Sequence, residues 1–423
     1  MTRTATAATS SAATHTAAPV DAGRRITAID VLRGVALLGI LVMNIQGFSM
    51  PDAAYLNPTA YGDLTGANLW VWILGHLLTD EKMFGLFSML FGAGILLMTS
   101  RIEQRGGRPG PLHYRRMGWL MLFGLLHAYL LWSGDILWTY GLCGLIVYLF
   151  RNRSPRTLVA SAVIFFAIGS AIFYAIGVFI GSLPPDQYAG FVQENWRPTA
   201  EMIRDEIATF RGGWLGQMPS RASDAIFSQT ILIVIMTGWK AIGNMLLGMA
   251  LFKWRVLTGD APRSMYVRMA AVGFPIGLTI VAFGIWRNFA AGWSARYSFF
   301  FGSQFNYWGA MVVDMGWIGV IMLACTSERF TRAKQALGAL GRTAFSNYIL
   351  QTLICSALFY GNGFGLFGAV TRVQQILIVA AIWIVQLLIA PLWLRRFAYG
   401  PLEWLWRSLT YWQRLPIRRP ARA

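Results

Sequence analysis

Two residues in the stretch Leu125-Leu-His-Ala-Tyr-Leu-Leu-Trp-Ser-Gly-Asp-Ile-Leu137 can exchange a proton: His127 and Asp135. An imidazole with an unperturbed pKa of about 6.5 accepts and returns a proton at working pH. A carboxylate beside it can fix its tautomer and stabilise the imidazolium, which is the logic of a general base. Eight residues separate the two, about 12 Å along a continuous helix, although the Ser133-Gly134 turn can shorten that. Both sit in or at the edge of an apolar run. Ionisable groups are costly in hydrocarbon, so such positions point to function.

Other polar residues share this setting. Asn44 lies in the first apolar run, with Asp30 and Arg33 at its start, three apart on one helical face. Lys82 follows Asp80 and Glu81 at the head of another run and can either neutralise them or hold an anionic or carbonyl-bearing ligand. His76 has a weaker claim. Asp314 and Lys240 fall nearer the middle of their runs and are candidates for an ion path. No P-loop, dinucleotide-binding glycine fingerprint, GxSxG elbow or zinc spacing is present, and no metal is expected.

The elements that must position these residues are membrane helices. Of 423 residues, 56% are hydrophobic and only 13% charged, against about 25% charged in a soluble domain. The apolar runs are about twice the length of a barrel strand, which predicts an all-α, polytopic transmembrane bundle of about ten spans plus interfacial helices. The expected spans are 29–48, 84–100, 117–132, 136–150, 158–180, 225–252, 267–286, 307–325, 344–360 and 375–394. Residues 67–79 are too short to cross and read as an interfacial or re-entrant helix on the outer side.

The net charge of +18 comes from basic clusters in alternate loops. That is the positive-inside pattern, not a nucleic-acid footprint. It predicts both termini in the cytoplasm of a bacterial inner-membrane protein, with His127, Asp135, Asn44 and Lys82 toward the outer face. Residues 1–23 read as a disordered cytoplasmic tail, 24–398 as the transmembrane domain, and 399–423 as an interfacial amphipathic helix and basic tail. Cys143, Cys325 and Cys355 read as buried hydrophobes.

Several stretches resemble a known family. They are Ile29-Asp-Val-Leu-Arg-Gly-Val-Ala-Leu-Leu-Gly-Ile-Leu-Val-Met-Asn44, Lys82 with Leu86-Phe-Ser-Met-Leu-Phe-Gly-Ala-Gly94, His127 with Trp132-Ser-Gly-Asp-Ile-Leu137, Gly341-Arg-Thr-Ala-Phe-Ser-Asn-Tyr-Ile-Leu-Gln-Thr-Leu-Ile-Cys355, and Gly400-Pro-Leu-Glu-Trp-Leu-Trp-Arg407. The chain looks like the YeiB-like family of bacterial multi-spanning proteins. Its first span also resembles that of the transmembrane acyltransferase superfamily, which includes heparan-α-glucosaminide N-acetyltransferase. The superfamily resemblance implies acyl transfer from a thioester such as acyl-CoA to an acceptor across the membrane. Asn44 matches that superfamily's active-site Asn. The His that follows it there has no counterpart here, where the loop holds Tyr55. The expectation is therefore an acyltransferase in which His127 is the base, oriented by Asp135, while Asn44 and Lys82 hold the acyl carbonyl or an anionic group. Asp30 and Arg33 would contact substrate from the cytoplasmic side. A transporter with Asp314, Lys240 and His127 along a polar path is the alternative, and a non-catalytic scaffold is the third reading. The expected partners are lipid and a small-molecule substrate, and a homodimer is allowed.

Overall fold

A computed structural model describes residues 27–419. The expected tail 1–23 and the end of the basic tail, 420–423, lie outside the described residues. The described chain is helical. Its elements are α1 (Thr27–Ser49), α2 (Ala53–Leu56), α3 (Gly66–Leu78), α4 (Lys82–Gln104), α5 (Pro109–Leu130), α6 (Leu137–Val147), α7 (Pro155–Gly181), α8 (Pro185–Asn195), α9 (Ala200–Arg211) and α10 (Met218–Phe227). They continue as α11 (Gly238–Lys253), α12 (Arg263–Ala290), α13 (Ala295–Tyr297), α14 (Ser303–Thr326), α15 (Thr331–Arg342), α16 (Ala344–Phe359), α17 (Arg372–Arg396) and α18 (Pro401–Tyr411). Wide π-helical turns, Ser228–Thr237, join α10 to α11.

Every expected span falls on helix. Seven segments are long and apolar enough to cross a membrane. Of the rest, Leu137–Phe150 and Ala344–Phe359 are apolar but shorter, and α5 begins with Arg115 and Arg116. The molecule is a polytopic helical membrane protein.

α1 is the central post. Its most apolar window is 72% buried, against 22% for those of α7 and α17, which form the rim. It packs on α4, α14, α15, α16 and α17. Helices pressed together in hydrocarbon gain from close backbone approach, and α4 against α11 shows how. A Cβ at Gly92 would lie 2.0 Å from the Met245 carbonyl oxygen, and one at Gly248 would lie 1.8 Å from that of Met89.

Residues 67–79 depart from expectation. At the start of α3, Asn68 accepts the amide N–H of Val373, near the Ser49 end of α1, where Gln375 donates to the Ser49 hydroxyl. Farther on, Gly75 faces Val42, and beyond the break Met83 fills the space beside Gly39. α3 therefore packs between α17 and α12, touches α1 at Val42, breaks at Thr79–Glu81, and is followed by α4. Together with α4 it forms one interrupted apolar segment, Gly66–Gln104, where the sequence predicts an interfacial or re-entrant helix separate from the next span. The break is set by chemistry: Asp80 and Glu81 need polar partners, and Glu81 takes the left-handed conformation (φ 66°). Irregular backbone at such depth is tolerated only where protein or a water-filled cavity satisfies it.

α18 is held as well as amphipathic. Its Glu403 accepts the amide N–H groups of Phe345 (2.7 Å) and Ser346 (3.2 Å) at the start of α16. Its Trp406 indole donates to the Arg116 carbonyl.

Candidate functional site

His127 sits in the last turn of α5. The amides of Leu131 and Trp132 both close on its carbonyl at 2.9 Å, ending the helix and turning the chain back. That turn brings Asp135 Oδ1 to 2.8 Å from His127 Nδ1. The other carboxylate oxygen, Oδ2, accepts the Trp138 amide at 2.8 Å in the first turn of α6. One side chain thus anchors a helix start, where negative charge is favoured, and orients the imidazole.

On the other side of the ring, Nε2 lies 2.9 Å from the hydroxyl of Thr352 on α16, which also reaches the Tyr348 carbonyl at 3.4 Å. The His127 residue is only 2% exposed. Tyr348 flanks its ring at 5.1 Å, and Trp132, edge-on to it, stacks on Phe48 of α1. Asn44 lies one turn before Phe48 on the same face of α1, so it borders this group. Thr352 escaped the sequence reading. Its only signal is that α16 places Asn347, Gln351 and Thr352 inside an otherwise apolar helix.

The residues of the break form a second polar set. Lys82 is wholly buried and donates to the His76 carbonyl at 2.6 Å and to Asn306 Oδ1. Asn306 in turn donates to Asp80 Oδ2 at 2.9 Å, which also meets His76 Nδ1 at 2.9 Å. The Tyr55 hydroxyl donates to Asp80 Oδ1 at 3.0 Å. Lys240 pairs with Glu81 and not with Asp314; the left-handed backbone at Glu81 belongs to the turn that presents that carboxylate.

α4 separates the two sets. Phe84, Phe91 and Ser88, one or two turns apart on one face, meet Tyr140 of α6. Lys82 faces Asn306 of α14, and Gly85 faces Asp314 of α14 and Asn244 of α11. His127 and Asp135, which pack with α6, are thus on one side of the helix and Lys82 on the other. Asp30 and Arg33 form a local ion pair (3.1 Å) at the far end of α1, where Arg33 also donates to the Gly341 carbonyl. A cavity of about 630 Å³ near that end is lined by Val31, Thr258, Asp260, Thr331 and Lys334 and includes none of the His127 group. Among the described residues no three His, Cys, Asp or Glu side chains gather as a metal site.

At the end of the bundle carrying Ser49, the Asp52 amide donates to Glu206 Oε1 at 2.8 Å. Desolvation by the surrounding chain, then the Glu206 and Asp224 carboxylates, push the carboxyl of Asp52 up to about 8, although the residue keeps an exposed surface.

Proteins of similar sequence match over almost their whole length. Uncharacterized protein YeiB of Escherichia coli strain K12 is 33% identical over 389 residues, 92% of this chain and 96% of the relative. The chain belongs to the YeiB-like family. Uncharacterized protein YxaH of Bacillus subtilis strain 168 is 30% identical over 420 residues, 95% of this chain and 98% of the relative. Residues 251–413 also match the family described as "Protein of unknown function (DUF418)". The segment 251–413 includes Thr352 and Asp314, whereas His127, Asp135 and the helix break precede it.

Proposed function

We propose that this YeiB-like protein is an acyltransferase of the bacterial inner membrane, with both termini cytoplasmic, that moves an acyl group from a thioester donor such as acyl-CoA to an extracytoplasmic acceptor. One observation supports the reading: the Asp135–His127–Thr352 chain, in which a carboxylate meets one nitrogen of an imidazole and a hydroxyl meets the other. The acceptor oxygen or nitrogen attacks the thioester carbonyl. Its proton passes to Thr352 Oγ1 as Thr352 gives its own to His127 Nε2. The carbon–sulfur bond breaks, and the leaving thiolate takes the proton held on His127 Nε2, departing as the free thiol and returning the base to its starting state. Asn44, on the bordering face of α1, is the donor for the carbonyl oxygen. Lys82 lies beyond α4 and takes no part. The superfamily resemblance of the first span supports the same reaction class. Purified protein in vesicles, given radiolabelled acyl-CoA and an extract of periplasmic glycans and lipids, should label an acceptor. Loss of that labelling in His127→Ala, with the protein inserted and folded, supports the assignment; unchanged labelling rejects it.

Transport is the second reading, favoured by the discontinuous α3–α4 segment with Asp80, Glu81 and Lys82 at its break. Transporters often build midplane sites at such interruptions. Proton-linked uptake into vesicles with no acyl-CoA consumption would select it.

A further inference from the structure

The interior charges around the break nearly balance. Asp80 is tied to Lys82 through Asn306, and Glu81 to Lys240 directly. One carboxylate is left over. Asp314, in the middle of α14, is 1% exposed, and its Oδ1 has no hydrogen-bond partner. Its Oδ2 occupies the room left by the missing side chain of Gly85, 2.1 Å from where a Cβ would stand. The Asn244 amide of α11 adjoins the same gap, and its Oδ1 is likewise buried without a donor.

Asp314 Oδ2 and the Asn244 amide nitrogen border that gap, while the outer oxygens of both side chains, Asp314 Oδ1 and Asn244 Oδ1, are buried without a donor in a low-dielectric interior. The charged groups facing Asp314 are Lys82 and Glu81 from α4 and its preceding turn and Lys240 from α11; the Tyr140 hydroxyl of α6 is the neutral titratable group in range. Both ammonium groups already donate elsewhere. A buried carboxylate that no cation reaches neutralises itself by binding a proton.

We propose that Asp314 is a proton-binding site: it holds a proton in the resting protein and exchanges it with water through the break. The side chains of Glu81, His76 and Asp80 are 27%, 22% and 21% exposed, which makes the break the wetted edge of the network. The bound proton removes a buried negative charge whose Oδ1 has no hydrogen-bond donor. Gly85 makes the site, since any side chain there would occupy the acid's place. The site is separate from His127, and its test uses neither acyl donor nor acceptor.

The experiment uses the full chain in lipid vesicles. Infrared spectra of wild type and Asp314→Asn are compared across pH, and dicyclohexylcarbodiimide, an apolar reagent for protonated carboxyls, is mapped by peptide mass spectrometry. The expected result is a protonated-carboxyl band at neutral pH that the Asn variant lacks, with carbodiimide labelling of Asp314 that falls as pH rises and ignores sodium. The wild-type labelling stands even if the variant does not fold. A missing adduct on Asp314 overturns the proposal. So does an adduct that sodium blocks, which would make the bound cation a metal ion.

Discussion

Asp135 Oδ1 stands 2.8 Å from His127 Nδ1, although a helix end and a reversing turn lie between them. The contact takes up one ring nitrogen and leaves the other to the Thr352 hydroxyl. Orientation by a carboxylate on one side and a hydroxyl on the other is the arrangement that makes an imidazole a directed base.

That geometry predicts a graded mutational series. His127→Ala should remove acyl transfer. Asp135→Asn keeps the shape but lets the ring adopt the wrong tautomer, and should lower kcat by about 10²–10⁴-fold. Thr352→Ser should retain most activity while Thr352→Val loses it, because only the hydroxyl relays. Single-turnover transfer measured against pH checks this. Equal rates for the Ser and Val variants would remove Thr352 from the pathway.

Lys82 is predicted to matter for stability. Lys82→Met leaves Asp80 and Asn306 facing a vacated charge in the interior, at a cost of roughly 3–5 kcal/mol. Lys82→Met with Asp80→Asn removes both charges and should recover part of the loss. Thermal unfolding in detergent measures both. A single variant as stable as wild type would show that the lysine is dispensable to the break.

The Asp52–Glu206 cleft should respond to pH. The Asp52 carboxyl titrates near 8 in the fold, against about 3.9 in an unfolded chain. Between those values the folded state binds the extra proton, so stability falls as pH rises. The contribution is complete below about pH 4 and gone above about pH 8. Asp52→Asn should flatten that slope, as read from unfolding midpoints at stepped pH. A slope unchanged in the Asn variant would assign it to other groups.

Glu403 caps α16 from α18. Removing it in Glu403→Ala leaves the Phe345 and Ser346 amides without their acceptor, a cost of about 1–3 kcal/mol. Because α16 carries Thr352 and Tyr348, the same variant should loosen the His127 site. Glu403→Gln keeps an acceptor oxygen and should fall between the Ala variant and wild type. Unfolding midpoints, with hydrogen exchange at the start of α16, test the order.

Much of this architecture is local and therefore readable from the chain. Runs of apolar residues long enough for a bilayer must satisfy their backbones internally, and that alone dictates helices, their approximate bounds and the all-α class. The His127–Asp135 pair was within reach too, since a Gly-containing turn separates the two. Which helix face meets which is not local. Hydropathy marks α3 as too short to cross but does not reveal that it continues into α4, because that depends on where Val42 and Gly39 of α1 lie. Nor does sequence spacing show that α4 divides Lys82 from His127, that Lys240 turns to Glu81 rather than Asp314, or that Thr352 takes the second imidazole nitrogen. Those outcomes rest on contacts between residues as many as 225 positions apart, fixed only when the helices pack and each buried polar group must find a partner.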